Sequence, residues 1–431
     1  MRSLLPGLVL SFALPILVTG CGGQREAAAM PFASQTIAAS ERPGANGYQQ
    51  LYSFQGGSGG YWPVADLAAL NGKLYGTTEQ GGRASCFSGY GCGTVFQIGP
   101  KGAYRVIHRF SGYPHDGETP QAGFIDVGGK LYGTTARGGK PSGGGGTVYE
   151  IDASGNESVI YTFGRYPYDG AYPTAPVIKY NGKLYGTTYS GGIDGCLSGY
   201  SPCGTIFDTT LSGKGKVLYS FQSPKFNRND GDSPDAGLTA VKNKLYGTTE
   251  YGGSYYEGTV FSVTLSGKEK ALHAFGGKGD GAFSHAPLTS LNGELYGTTV
   301  LGGAYNFGTV FAIFPSGKER IVHSFKGPPS DGGGPRSRLI LMNGDFYGTT
   351  DVGGSGSQCP YGCGTVFKIS PSGKETILYN FAGGKDGNFP TAGLTELNGT
   401  LYGTTTYGGT GNCAPHSIYP GGCGTIFSIA P

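Results

Sequence analysis

Asn71-Gly72-Lys73-Leu74-Tyr75-Gly76-Thr77-Thr78 decides how this chain is read, because close copies of it return six more times and put Tyr132, Tyr185, Tyr246, Tyr296, Tyr347 and Tyr402 in the place of Tyr75. Successive copies stand 50 to 61 residues apart. That period is longer than a helical repeat and suits a four-stranded sheet with its loops, the unit of a propeller blade.

The unit from Ala122 to Phe163 shows the expected strands. An apolar stretch from Gly123 to Val127 runs into a turn at Gly128-Gly129, where five other copies place Asn-Gly. Both residues of that pair tolerate the positive φ of a two-residue hairpin. Lys130 to Thr135 follows as a second strand. The third opens at Gly146-Thr147 with the pattern Gly-Thr-Val/Ile-Phe/Tyr-x-Ile/Val, and after a tight turn at Ser154-Gly155 the fourth ends in Ile160-Tyr161-Thr162-Phe163. Each unit is therefore expected to be a four-stranded antiparallel meander.

The ends of the chain complete this pattern. The last copy stops at its third strand, Gly424 to Ile429, while a spare fourth-type strand, Gln50 to Phe54, precedes the first copy. The spare strand fits the vacancy. The expectation is an all-β, seven-bladed β-propeller of four-stranded antiparallel blades, closed by the N-terminal strand completing the last blade. Closure removes exposed sheet edges, whereas a linear β-solenoid would need capping units and would leave the displaced strand unexplained.

Composition agrees. Among 431 residues, 84 Gly and 14% charged residues point to a turn-dense β protein, and 30 Tyr and 23 Phe supply the buried area that a disordered chain lacks. A formal net charge of +3 without a run of Lys and Arg leaves no electrostatic footprint for nucleic acid.

Arg2, an apolar run from Leu4 to Val18, and Val18-Thr19-Gly20 before Cys21 resemble a bacterial lipoprotein signal. The expected organisation is a signal peptide over 1–20, a lipidated flexible tether over 21–47 with Cys21 as the lipidation site, and the propeller over 48–431. The partner of the lipid is a membrane. With Gly22 rather than Asp after the cysteine, the expected location is the outer membrane or cell surface, with export through the cell envelope. The other eight cysteines fall in pairs, Cys86 and Cys92, Cys196 and Cys203, Cys359 and Cys363, Cys413 and Cys423. Each pair lies within one loop of 9 to 14 residues, and the three loops without a pair hold only 4 to 6. Four disulfides, each contributing about 2 to 2.5 kcal/mol, account for that correlation. Zinc would need ligands from several loops with irregular spacing, so no metal and no cofactor are expected.

The run Leu-Tyr-Gly-Thr-Thr-x-x-Gly-Gly followed by Gly-Thr-Val-Phe resembles the bacterial GloVer (Gloeobacter/Verrucomicrobia-type) tandem repeats over about residues 49–431. The resemblance implies an exported, anchored repeat protein and brings no catalytic residues with it. The resemblance also implies a C-terminal sorting anchor, as in many relatives; this chain departs from that at Pro431, and Cys21 is expected to take the anchoring part.

The order of strands puts both tight turns on one face of the disc and the loops between second and third strands, with the blade-to-blade connections, on the other. The connections carry Asp116, Asp169, Asp230, Asp280, Asp331 and Asp386, each before a Gly. Each Asp is expected to accept backbone N–H groups in its own turn rather than to form a ring of cation ligands. Asp230, Asp232 and Asp235 together offer oxygen ligands of the kind calcium takes, but their spacing is not that of an EF-hand. After Asp-Gly a Pro-x-Ala frame leads toward the innermost strand, with Val64, Gln121, Thr174, Asp235, His285, Arg336 and Thr391 at x. The small neighbour answers to crowding at the axis. Before the Pro stand Trp62, Tyr172, Phe283 and Phe389, aromatic faces of the kind that stack on sugars or grip a peptide.

The candidate ligand-binding residues are Trp62, Gln121, Tyr172, Asp235, Phe283, His285, Arg336, Arg338 and Phe389. His108, His273 and His323 fill a fourth-strand position held by Tyr in other blades and read as packed residues; no catalytic residues are assigned. The expected role is a monomeric, membrane-anchored binding or assembly module for a glycan or protein. The alternatives are a carbohydrate hydrolase or lyase using acids from several blades, and a structural surface protein.

Overall fold

In the computed structural model the described residues are 47–431, apart from 84–85, 87–88, 141–143, 165–168, 193–202, 223–226 and 414–420. The expected signal peptide, Cys21, almost all of the tether, Cys196 and His416 lie outside the described residues.

Seven four-stranded antiparallel sheets follow one another. Blade 1 consists of Ala68–Leu70, Lys73–Thr78, Thr94–Ile98 and Tyr104–Arg109 from inside to outside. Lys130–Thr135, Lys183–Thr188, Lys244–Thr249, Glu294–Thr299 and Asp345–Thr350 are the second strands of blades 2 to 6. Blade 7 has Thr395–Leu397, Thr400–Thr405 and Thr425–Ile429, and its outer strand is the N-terminal Gln49–Ser53. Gln49 pairs with Ser428 and Ser53 with Thr425, and the Phe54 N–H donates to Gly424 O at 3.0 Å. Ala68–Leu70 touches both Ile125–Val127 and Thr395–Leu397, so inner strands meet inner strands around the axis.

Each letter of the repeated motif has a structural reason. Asn71 takes φ 51° and Gly72 φ 71°, the left-handed pair of a tight hairpin turn. Leu74 and Tyr75 are buried. Gly76 faces Phe96 across the ladder, and a Cβ there would lie 2.5 Å from the phenyl ring, so only Gly lets that ring lie flat against the strand. In blades 2 to 7 the first Thr of the pair reaches the next blade: Thr134 donates to Ala175 O at 3.0 Å and Thr187 to Ala236 O at 2.9 Å, whereas Thr77 Oγ1 in blade 1 makes no such bond. The second stays within its blade, 2.8 Å from the Thr of Gly-Thr in the pairs Thr78–Thr94 and Thr135–Thr147. One hydroxyl therefore joins blades and the other joins strands.

Aromatic packing repeats at the same places. The Phe ending each outer strand stands edge-to-face on the third-strand aromatic of the next blade, as in Phe163–Phe207 at 4.8 Å and Phe275–Phe311 at 5.1 Å. The closing seam does the same through Phe54–Phe96 at 5.5 Å and Phe381–Phe427 at 5.2 Å. Such pairs add about 0.5 to 1.5 kcal/mol each to the area they bury.

Cys86–Cys92, Cys359–Cys363 and Cys413–Cys423 are disulfides with Cα–Cα separations of 5.0, 5.2 and 5.1 Å. Cys203 is also disulfide-bonded, its expected partner Cys196 lying outside the described residues. Bonds of this kind persist in an oxidising, exported environment. Among the described residues no helix is long and apolar enough to cross a membrane.

Candidate functional site: the axial mouth

The residue before the Pro of each Pro-x-Ala frame, or its equivalent, turns left-handed: Trp62 at φ 60°, Thr119, Tyr172 and Ser233 at 57°, Phe283 at 58°, Gly334 at 63° and Phe389 at 59°. Hydrogen bonds on both sides hold this conformation. The Ser233 N–H donates to Cys203 O at 3.1 Å in the preceding blade, and Ser233 O accepts the Glu250 N–H at 3.0 Å. A short ladder pairs Gly231–Asp232 with Tyr251–Gly252 just beyond it. The kink thereby ties residue x to the residue that follows Thr-Thr.

Side chains from four consecutive blades meet as a result. Thr174 Oγ1 donates to Asp235 Oδ1 at 2.5 Å, and Asp235 Oδ2 lies 2.9 Å from His285 Nδ1. His285 Nε2 lies 3.7 Å from Glu250 Oε1. Arg336 Nε donates to Asp351 Oδ2 at 3.1 Å, and its charge also reaches Asp235 and Glu250. Two residues further along, Arg338 Nε stands 3.7 Å from Asp66 Oδ2, and the other oxygen of Asp66 accepts the Gly393 N–H at 2.6 Å. This second contact links blades 6, 7 and 1.

Burial and charge pull the acids of this cluster apart. Burial alone would raise the Asp235 carboxyl, but the hydrogen bond and charge of His285, the Thr174 hydroxyl and the Arg336 charge hold it below its ordinary value. Asp351 is raised, because its burial outweighs the nearby Arg336. Asp232 has no exposed surface and an Oδ2 without a hydrogen-bond partner; burial pushes it up to about 6 against the Ser233 hydrogen bonds. Tyr189 is raised by burial and by the charges of Glu250 and Asp235.

Of the nine residues expected from the sequence, Asp235, His285 and Arg336 share this cluster. Arg338 belongs to the second layer, and Gln121 Nε2 donates to Glu79 Oε1 at 3.2 Å in blade 1. The aromatics differ among themselves. Trp62 is buried edge-on to Tyr407 at 5.9 Å, so its face does not lie open. Phe389 is tilted on the same Tyr407 at 5.9 Å, and Phe283 stands edge-to-face on Tyr251 at 5.6 Å. Tyr172 is 37% exposed, with the Arg137 guanidinium 5.5 Å over its ring. Among the described residues every exposed tyrosine, from Tyr90 in blade 1 to Tyr361 in blade 6, sits in a loop of this face.

Sequence reasoning missed Glu79, Tyr189, Glu250 and Asp351. Their common signal is the variable position directly after the invariant Tyr-Gly-Thr-Thr. The connection acids behave as expected: Asp116, Asp230 and Asp331 each accept the N–H of the following Gly, and Tyr219 donates to Asp230 Oδ2 at 2.8 Å. They sit where outer strands meet, not at the axis. Asp230, Asp232 and Asp235 turn to separate partners and form no common set. His108, His273 and His323 pack edge-on to Phe110, Phe275 and Phe325, as expected, and also face Asp116, Asp280 and Asp331. A separate cleft of about 330 Å³ opens at the seam of blades 7 and 1 beside Tyr61, Tyr90 and Asn412.

Among solved structures, the chain is similar to a computationally designed protein, Ika8, at 12% identity and a TM-score of 0.45, covering 89% of this chain and 100% of that one. It is also similar to puromycin hydrolase at 12% identity and a TM-score of 0.47, covering 79% of this chain and 50% of the hydrolase. Likeness at that level carries no functional argument. Comparison with curated proteins gives no match. The model of the Gloeobacter/Verrucomicrobia repeat matches residues 39–225 and 197–427, nearly the whole propeller, and the chain belongs to that repeat family.

Proposed function

We propose that this protein is an exported, lipid-anchored binding or assembly module that seats a glycan or protein ligand at the axial mouth. The convergence of Thr174, Asp235, His285 and Arg336 from four blades supports this reading, since it sets polar side chains that differ from blade to blade next to one another across blade boundaries. Carboxylates and a guanidinium offer fixed acceptors and donors for sugar hydroxyls or a peptide backbone, and the exposed tyrosines of the same face offer flat apolar area. The disulfides support export, and Val18-Thr19-Gly20-Cys21 supports the lipid anchor at the outer membrane or cell surface.

The test is capture of soluble cell-envelope polysaccharides and proteins by the wild type and by Asp235→Ala with Arg336→Ala, each confirmed as folded by circular dichroism. The expected result is capture by the wild type and loss of it in the double variant, with Arg336→Lys intermediate because it keeps charge but not the planar fork. Equal capture by all three would remove the axial mouth from the account. A second reading, a carbohydrate hydrolase, is favoured by one observation: on the two sides of Arg336, Asp235 is held low while Asp351 is raised, the separation that an acid and a base need. Release of reducing ends from a captured polysaccharide would establish that reading.

A further inference from the structure

At each junction between outer strands, the residue two before the terminal Phe of one blade faces the residue six before the terminal Phe of the next. Two junctions hold stacked tyrosines, Tyr52 on Tyr104 at 3.9 Å and Tyr379 on Tyr48 at 3.8 Å. At a third, Tyr161 lies over Gly215, and at a fourth Tyr219 meets Glu269. The remaining three hold His108 with Glu157, His273 with Glu319 and His323 with Glu375. Histidine therefore comes with glutamate at all three of its junctions, while tyrosine does so at one of four. A histidine that merely replaced the tyrosine hydroxyl as donor to the connection Asp would have no need of that partner.

We infer that these three junctions are divalent transition-metal sites, each built from one imidazole and two carboxylates: His108, Asp116 and Glu157; His273, Asp280 and Glu319; His323, Asp331 and Glu375. In each set the ligand atoms lie within 4.8 Å of one another. The imidazole Nε2 stands 3.4, 3.0 and 3.2 Å from the Asp Oδ2 in the three sets.

The carboxylates are oriented as metal-binding carboxylates usually are. Asp331 Oδ1 accepts the Gly332 N–H at 2.7 Å and Oδ2 the Lys326 N–H at 2.9 Å, leaving a further lone pair on Oδ2 toward the imidazole, and Asp280 does the same with Gly281 and Gly276; at Asp116 the Ser111 hydroxyl, 3.0 Å from Oδ2, also occupies that oxygen and would turn aside for a metal. Opposite, Glu157, Glu319 and Glu375 each keep an Oε1 shielded from solvent with no hydrogen-bond partner; Glu269 does so too, but beside Tyr219, which brings no imidazole to complete a site. An unpartnered buried carboxylate oxygen is costly unless something fills the gap.

Charge gives the same answer. One imidazolium offsets one of two carboxylates; a dication offsets both. One nitrogen and two oxygen ligands suit zinc, cobalt or manganese rather than calcium, which prefers six or more oxygens. A fourth His, Asp and Glu set, Asp235, Glu250 and His285, differs because Arg336 already supplies positive charge beside it.

The chain itself contains the control, since tyrosine is the natural occupant elsewhere. The full-length protein, stripped with a chelator and dialysed against micromolar zinc, is expected to bind three equivalents by native mass spectrometry. His108→Tyr, His273→Tyr and His323→Tyr should each remove one equivalent, and Glu319→Gln should remove the same one as His273→Tyr. Cobalt in place of zinc should give absorption bands that fall by a third with each swap. Failure of the wild type to bind zinc or cobalt overturns the inference, as does unchanged stoichiometry in the three swaps. Circular dichroism on each single variant confirms that its fold is retained.

Discussion

Asp235 Oδ2 lies 2.9 Å from His285 Nδ1, although the two residues belong to different blades and stand at the same position of their repeats. The contact makes a symmetric frame locally asymmetric. Asp235 is depressed in the folded protein, so its contribution to stability is complete above the unfolded Asp value of about 3.9 and is lost as pH falls through the folded value. Asp235→Asn should therefore melt lower than wild type at pH 7 by an amount on the order of 1 to 3 kcal/mol. The gap should close in strongly acid solution. Melting curves of both proteins between pH 2 and 7 check this; a gap that persists at the acid end would contradict it.

Glu269, beside Tyr219 and outside the three histidine junctions, gives the opposite slope. Burial and the Asp230 charge raise its carboxyl to about 8. The folded state then holds a proton that the unfolded state has released above about pH 4.3, so stability falls as pH rises from there toward 8. Glu269→Gln has no such proton to lose. The variant should match the wild type near pH 4 and exceed it by on the order of 1 kcal/mol at pH 9, as read from urea midpoints at the two pH values.

Thr188 carries several bonds on one buried hydroxyl. Its Oγ1 is 2.8 Å from Thr205 Oγ1, donates to Ser190 O at 3.0 Å and accepts the Thr205 N–H at 3.2 Å. Thr188→Val keeps the shape and strands those partners. A loss of about 1 to 3 kcal/mol in urea unfolding is expected, whereas an exposed hydroxyl such as Ser212 should change stability by less than about 0.5 kcal/mol.

Phe54 is fully buried between blade 7 and blade 1 and stands edge-to-face on Phe96 at 5.5 Å. Phe54→Ala should cost about 3 to 5 kcal/mol through the cavity it leaves. The same substitution at Phe275 in blade 4, which packs on Phe311 at 5.1 Å, should cost a similar amount if the seam is as tight as an ordinary junction. Guanidine unfolding of both variants makes the comparison.

Much of this fold was legible because each blade repeats the same local code. Asn71-Gly72 marks a turn, Gly-Thr marks the third strand, and the spare Gln50 to Phe54 announces the closing partner. The mouth was only half legible. Asp235, His285 and Arg336 stood out as variable residues in a fixed frame, but Glu250 and Asp351 looked like loop positions because the left-handed Ser233 and Gly334 that bring them inward have no common side chain. The two-residue ladders such as Gly231–Asp232 with Tyr251–Gly252 are too short to show any alternation. Trp62 misled as an open aromatic, since its burial depends on Tyr407 from the far end of the chain. The pairing of His108 with Glu157 was hidden for the same reason: it is a contact between blades, and periodicity within a blade says nothing of it.

Ring closure places every one of these contacts, and hydrogen exchange tests it directly. With the strand Gln49–Ser53 paired to Thr425–Ile429, the amides of residues 49–54 that face the ladder should exchange as slowly as those of Thr94–Ile98 inside blade 1. Exchange of residues 49–54 at the rate of an unstructured peptide, with Thr425–Ile429 left as an open edge, would contradict the closed propeller and the axial mouth with it.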